Sequence, residues 1–275
     1  YSPDDFELFI QDRFRGVFYT RTTDIINDNP PNVNTLYETF VTSVDSKNRV
    51  KNDVARESEW YKYNEVTDEC ITNDGSAMGG KDIYSILNLG KMLFFAGAKG
   101  RVACCDILTN KWHNYNEITT SFIVSDGSAM LFKDIYSAQI ADNKFIVMGQ
   151  DGIMTYCNLL TGQWINADAI GVDNLPVNNK TSIFLGDIYC SVLHEDLLII
   201  AGSNGRVASY NIKTKVWCGY GDTVEDMVNN VGIATNGYAI RSMFIESING
   251  ESVLFIAGDN GVIATCYIAY NTWTK

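Results

Sequence analysis

Short apolar runs recur along the chain, and each stops at a cluster of turn residues. "TFVTSV", "MLFFA", "KFIVM", "LLIIA" and "VLFIA" lead into Asp45-Ser-Lys-Asn48, Gly97-Ala-Lys-Gly100, Gly149-Gln-Asp-Gly152, Gly202-Ser-Asn-Gly205 and Gly258-Asp-Asn-Gly261. Upstream of the last four lie "DIYS" at 82, "DIYS" at 134, "DIYC" at 187 and "AIRS" at 239, and downstream comes a tryptophan. The tryptophans stand at 60, 112, 164, 217 and 273, spaced by 52, 52, 53 and 56 residues. A fixed period of this size marks a repeat architecture. "RGVFYTR" (15–21) supplies the missing upstream segment of the first unit if residues 24–38 form an enlarged loop after it.

Each unit reads as four strands, for example "KDIYSILNL", "KMLFFAG", "RVACCDI" and "KWHNYNE". Gly, Asn and Asp at the gaps supply the positive φ angles that tight hairpins need. A four-stranded antiparallel meander repeated radially is a propeller blade. The expected fold is therefore all-β: a five-bladed β-propeller with blades at about 15–65, 79–117, 131–169, 184–221 and 236–275, forming one domain over 15–275. Residues 1–14 are expected as a lead-in, a short helix over "SPDDFELFIQDRF" with Ser2 as cap and Pro3, Asp4 and Asp5 in its first turn. The chain opens at Tyr1, which reads as a processed form or a domain of something longer, and it stops two residues past Trp273. Ring closure then comes either from N-terminal residues completing the last blade or from packing of the first blade on the fifth.

"DGSAM" occurs at 74–78 and again at 126–130. A nucleophilic serine would need a sharp strand-to-helix turn such as Gly-x-Ser-x-Gly with a histidine to serve it. Neither accompanies these copies, so the motif reads as part of the connection from one blade to the next.

Composition then narrows the function. The 275 residues are 46% apolar and 12% aromatic, enough for a sizeable core. A formal charge of −12 and a pI near 4.6 disfavour nucleic acid and anionic membranes as partners. No apolar run approaches the ~20 residues of a membrane span. Seven cysteines are an odd count, and Cys105, Cys157 and Cys266 share one repeat position with Tyr210, which suits small core residues better than disulfides. His113 and His194 have no partner at metal-ligand spacing, so neither a metal nor a cofactor is expected.

Propeller geometry gathers the linker loops, the residues before the inner strands and the hairpin tips on one face. Candidate ligand-binding residues there are Asp82, Asp134 and Asp187, with Lys99, Asp151, Asn204 and Asp259 at the tips and Phe132 and Tyr238 as stacking aromatics out of register. The aligned aspartates admit three roles: hydrogen bonds to the entering loop's backbone, a cation or polar ligand, or glycosidase-type acid–base chemistry. The five tryptophans are expected to pack between or along blades.

The "G-x-(N/D)-G … T-x-x-W" blade pattern resembles five-bladed propeller modules in tail and tail-fibre proteins of bacteriophages. That resemblance implies a trimeric receptor-binding module on a virion or extracellular surface, engaging a glycan or cell-wall polymer and attached to stalk or tail proteins. The pattern is also similar to that of propeller lectins and bacterial assembly factors. A glycoside hydrolase using channel-mouth carboxylates and a protein-interaction scaffold are the competing readings. The Pro30-Pro31 pair would stiffen any contact that the 24–38 loop makes with a neighbouring subunit.

Overall fold

The computed structural model describes residues 7–12, 16–21, 71, 73–117, 123–167, 186–222, 224 and 226–274. The chain divides into two compact units, Tyr1–Tyr61 and Lys62–Lys275.

In the first unit, β1 (Glu7–Asp12) and β2 (Gly16–Arg21) form an antiparallel hairpin, with Glu7 opposite Arg21 and Asp12 opposite Gly16. This corrects the helix expected over 2–14, since its residues 7–12 are extended. "FELFIQD" places Phe6, Leu8 and Ile10 at alternate positions, a strand period that outweighs the helix-start residues before it. The rest of the expected first blade, including "TFVTSV" and the 24–38 loop, lies outside the described residues.

The second unit contains four antiparallel sheets, corresponding to repeats two to five of the sequence. Repeat two holds β3 (Ile83–Leu89), β4 (Met92–Gly97), β5 (Arg101–Asp106) and β6 (Lys111–His113). A short β7 (Ser125–Asp126), from the linker that follows, extends its outer edge by pairing with β5. Repeat three holds β8 (Ile135–Ala141), β9 (Lys144–Gly149), β10 (Met154–Asn158) and β11 (Gln163–Ile165). Repeat four holds β12 (Ile188–His194), β13 (Leu197–Gly202), β14 (Arg206–Asn211) and β15 (Val216–Cys218), with linker strand β16 (Asn230–Val231) on β14. Repeat five holds β17 (Ile240–Ile248), β18 (Glu251–Gly258), β19 (Ile263–Tyr267) and β20 (Thr272–Thr274). Each sheet is a meander in chain order, and the first strands β3, β8, β12 and β17 pack on one another in sequence. The arrangement is all-β and propeller-like, and among the described residues the only helical pieces are single 3-10 turns.

The apolar runs are continuous because both sheet faces are covered. In β9, Phe145 and Val147 join the core shared with Phe94 and Cys104 of repeat two. Ile146 and Met148 of the same strand face Leu198, Ile200 and Tyr210 of repeat four. Strand β13 alternates likewise, its Ile199 and Ala201 meeting Leu254, Ile256 and Cys266 of repeat five. The outermost described sheets differ: Ile83 and Ile86 in repeat two, and Phe244 and Ile263 in repeat five, are exposed.

Two of the described tryptophans tie sheets to linkers. Trp164 donates Nε1–H to the Val124 carbonyl at 2.8 Å, and Trp273 donates to the Asn229 carbonyl at 2.8 Å. Trp112 rests on Phe95 and Trp217 on Tyr210, each with ring centres 4.8 Å apart. Cys105, Cys157 and Cys266 are buried free thiols, and Tyr210 at the equivalent position is buried too. Burial pushes the Cys157 and Cys266 thiols up to about 12 and Cys105 to about 11.

Candidate binding face at the start of the inner strands

Two glycines shape each hairpin tip for different reasons. The first has an extended backbone but no room for a side chain. A Cβ on Gly97, Gly149 or Gly202 would lie 1.9–2.0 Å from the carbonyl oxygen of Asp82, Asp134 or Asp187. Each of those carbonyls accepts a 2.9 Å hydrogen bond from the next tip residue, Ala98, Gln150 or Ser203. The tip then turns left-handed at Lys99, Asp151, Asn204 and Asn260, with φ of 58–61°.

Among the described residues, the tips of repeats two and four dock against the entry loops of repeats three and five. A Cβ on Gly127 would strike the Lys99 carbonyl at 2.0 Å, and one on Gly232 the Asn204 carbonyl at 2.4 Å. "DGSAM" is built for this seat. Asp126 Oδ1 accepts from the Ser128 amide at 2.9 Å, Gly127 takes φ of 106°, and Ala129 and Met130 are buried. The first copy repeats the pattern with Asp74 and Ser76 at 2.9 Å. Its serine faces its own aspartate: the Ser76 side chain and amide hold the Asp74 carboxyl below its ordinary value.

The aligned aspartates brace neighbouring repeats. Asp134 Oδ1 accepts from the Lys99 amide at 2.8 Å, and Asp187 Oδ1 accepts from the Asp151 amide at 2.8 Å. Their partner is the preceding repeat's hairpin tip, not the entering loop expected from sequence. Asp187 Oδ2 also accepts from Tyr189 Oη at 3.1 Å, and Asp82 Oδ2 from Tyr84 Oη at 3.3 Å.

Sequence reasoning passed over the tyrosines. Each of β3, β8, β12 and β17 shifts register between its first and third residues, so Tyr84, Tyr136, Tyr189 and Arg241 occupy one repeated β-bulge, a device that re-aims side chains. Tyr84 and Tyr136 have ring centres 5.5 Å apart, and Tyr136 and Tyr189 5.4 Å apart. The Arg241 guanidinium lies 4.0 Å from the centre of the Tyr189 ring. Arg241 also forks onto Asp259 at 2.9 and 3.0 Å, which raises its pKa and lowers that of Asp259. Burial, followed by the charges of Asp187 and Asp134, pushes the Tyr136 phenol up to about 12. The signal was present in the third letter of each "DIY", but a contact between residues 52 or 53 positions apart has no local signature.

The remaining candidates sit around this arc. Lys133 Nζ pairs with Asp151 Oδ2 at 2.8 Å, which raises the lysine's pKa. Lys99 and Asn204 are exposed at their tips. Phe132 and Tyr238 are also exposed, at 57% and 41%. A separate solvent-open cavity of about 540 Å³ lies at the far ends of the strands, among Asp142, Leu193, Glu195, Ile212 and Lys213. Its lining has charges of both signs and no aromatic ring, so it lacks the apolar body typical of ligand pockets. Among the described residues, no group of three or more His, Cys, Asp or Glu could hold a metal ion. Also among them, no helix is long and apolar enough to cross a membrane.

No protein-family model matches the chain, and no curated protein does. Solved structures with some likeness include the computationally designed Ika8 protein, at 12% identity and a TM-score of 0.44 over 68% of this chain and 46% of that one. Two are extracellular domains of proteins from B. thetaiotaomicron. BT3049, described as a hybrid two-component system, shows 12% identity and a TM-score of 0.46 over 78% of this chain and 25% of that one. BT4673, described as a one-component system, shows 14% identity and a TM-score of 0.47 over 71% and 22%. The chain thus spans less than half the length of each of these three proteins, and likeness of this degree does not establish a common family.

Proposed function

We propose that this protein is a non-enzymatic binding module that recognises a glycan or cell-wall polymer through the face carrying the hairpin tips. Repeats two to five and the first unit read from sequence at 15–65 would together make five blades. The observation that carries the reading is the tyrosine arc, three rings followed by a stacked arginine, with exposed Phe132 and Tyr238 on the entry loops of repeats three and five. Aromatic faces bordered by a few fixed polar groups suit a ligand with one apolar and one hydroxylated side. The hydrolase alternative is weaker, because glycoside hydrolysis needs two carboxyls in divergent environments. Asp134 and Asp187 occupy one repeat position, and each is committed to a backbone amide of the preceding hairpin tip. A virion or other extracellular location, a trimeric assembly and stalk or tail partners follow only from the resemblance in blade pattern and belong to the same proposal.

The test is an array of glycans and cell-wall fragments on the purified protein, reading retention and released sugar in the same wells. Retention with the glycan left intact is expected. Release of sugar that Asp134→Asn or Asp187→Asn abolishes would replace this reading with the hydrolase.

A further inference from the structure

Three entry loops have the same backbone and different side chains at their crest. In each, an amide closes back on the loop's first glycine: Gly80 on Gly75 at 2.8 Å, Phe132 on Gly127 at 2.9 Å, and Gly237 on Gly232 at 2.8 Å. In each, the two crest residues are left-handed. Gly79-Gly80 take φ of 60° and 67°, Asn236-Gly237 take 53° and 80°, and Leu131-Phe132 take 53° and 58°. Glycine and asparagine are the residues that tolerate this region, whereas leucine and phenylalanine are strained in it. The third repeat therefore carries two large apolar residues where its own sister loops show that the backbone favours small ones.

Burial does not explain the choice. Leu131 is 40% exposed and Phe132 57% exposed, and neither belongs to a hydrophobic core cluster among the described residues. Strained residues that packing does not require are a mark of function. In sequence, Phe184-Leu185 stand at the same distance before Asp187, but they lie outside the described residues.

We infer that Leu131 and Phe132 form the apolar platform of the glycan site, with the Phe132 ring receiving the face of a neutral hexopyranose; this rests on the binding-module reading above. The polar groups such a sugar needs stand next to Phe132 in the sequence. They are half-exposed Lys133, which pairs with Asp151, and Asp134, which the Lys99 amide holds in place. A protein partner suits the crest less well, because two side chains fall far short of the roughly 800 Å² per partner that a stable interface buries. One exposed ring does match the size of one sugar ring.

The experiment replaces the crest with that of the fifth repeat, Leu131→Asn with Phe132→Gly, and compares it with wild type and Phe132→Tyr. Thermal melting is measured beside retention on immobilised glucose and N-acetylglucosamine oligosaccharides. The double variant should melt above wild type, by about 2 °C or more, because relief of two left-handed residues outweighs the entropy of the added glycine, while its retention falls at least tenfold. Phe132→Tyr should keep the wild-type Tm and wild-type retention. A double variant that melts at or below wild type would show that the pair packs the fold, and the inference fails. Higher melting with unchanged retention would show that the crest is not the platform, and the inference fails while the glycan reading stands. If wild type is retained on none of these sugars, the hexopyranose assignment fails, and the wider array decides the binding-module reading separately.

Discussion

Removing the Asp187 carboxylate should loosen one specific junction, and replacing it with asparagine should largely spare it. Asp187 accepts the Asp151 amide at 2.8 Å and the Tyr189 hydroxyl at 3.1 Å. Hydrogen bonds to a charged group contribute about 1.5–3 kcal/mol when well shielded. Asp187 is only half-buried, so the lower end applies, and Asp187→Ala should cost about 2 kcal/mol. Asparagine keeps an acceptor oxygen in place and loses mainly the charge, at about 0.5–1 kcal/mol. For a chain of this size those figures correspond to Tm losses of about 4–8 °C and 1–4 °C. Melting followed by circular dichroism reads the totals, and amide exchange at Asp151 reads the junction itself. Protection there should be lost in the alanine variant and kept in the asparagine variant. If asparagine destabilises as much as alanine, or if neither changes exchange at Asp151, the aspartate is not an inter-repeat brace.

Phe145→Ala should cost about 3–5 kcal/mol, since the ring is fully buried between Phe94 and Trp164; urea denaturation checks it, and a loss below about 1 kcal/mol would contradict the shared core. Stability should hold from pH 7 to 5 and fall below about pH 4. Hydrogen bonds from Ser128, Asn114 and Arg241 hold Asp126, Glu117 and Asp259 respectively below their ordinary values. Groups depressed in the folded state stabilise above their unfolded pKa and lose that contribution as pH drops through the folded one, so a Tm already falling between pH 7 and 5 would refute this. The six described cysteines should resist Ellman's reagent at pH 8 until denaturant is added, because all are buried and burial raises their thiol pKa values.

The repeat itself was legible because each of its markers has one local cause. The first tip glycine is there for a carbonyl 2 Å from where a Cβ would sit, and the second, such as Gly100 with φ of 69°, for a left-handed turn. The tryptophan and cysteine positions were legible as core for similar reasons. What escaped depends on register or on distance along the chain. The bulge that re-aims Tyr84, Tyr136 and Tyr189 is a register shift, and composition does not record register. The aspartates were legible as structural, but their partner was misplaced, because the preceding tip is 35 or 36 residues away. The strand at 7–12 was hidden by Ser2, Pro3, Asp4 and Asp5, strong helix-start residues ahead of an alternating segment.

The tip-in-seat junction has a direction. In both described junctions a hairpin tip on one repeat meets a glycine-floored seat on the next, so the interface is head-to-tail and not self-complementary. Such an interface propagates: it makes a ring where the rotation closes and a filament where it does not. Gly100 and Gly205 meet the next entry loop within 3 Å of where a Cβ would sit, whereas Gly261 of repeat five meets no described residue within 4 Å. Because both described tip-in-seat junctions use the same parts, the repeats behave as interchangeable modules. A hybrid chain with the third repeat and its seat moved to the fifth position would carry the Leu131-Phe132 crest with it, and its contact surface would shift around the protein by two units without a new core.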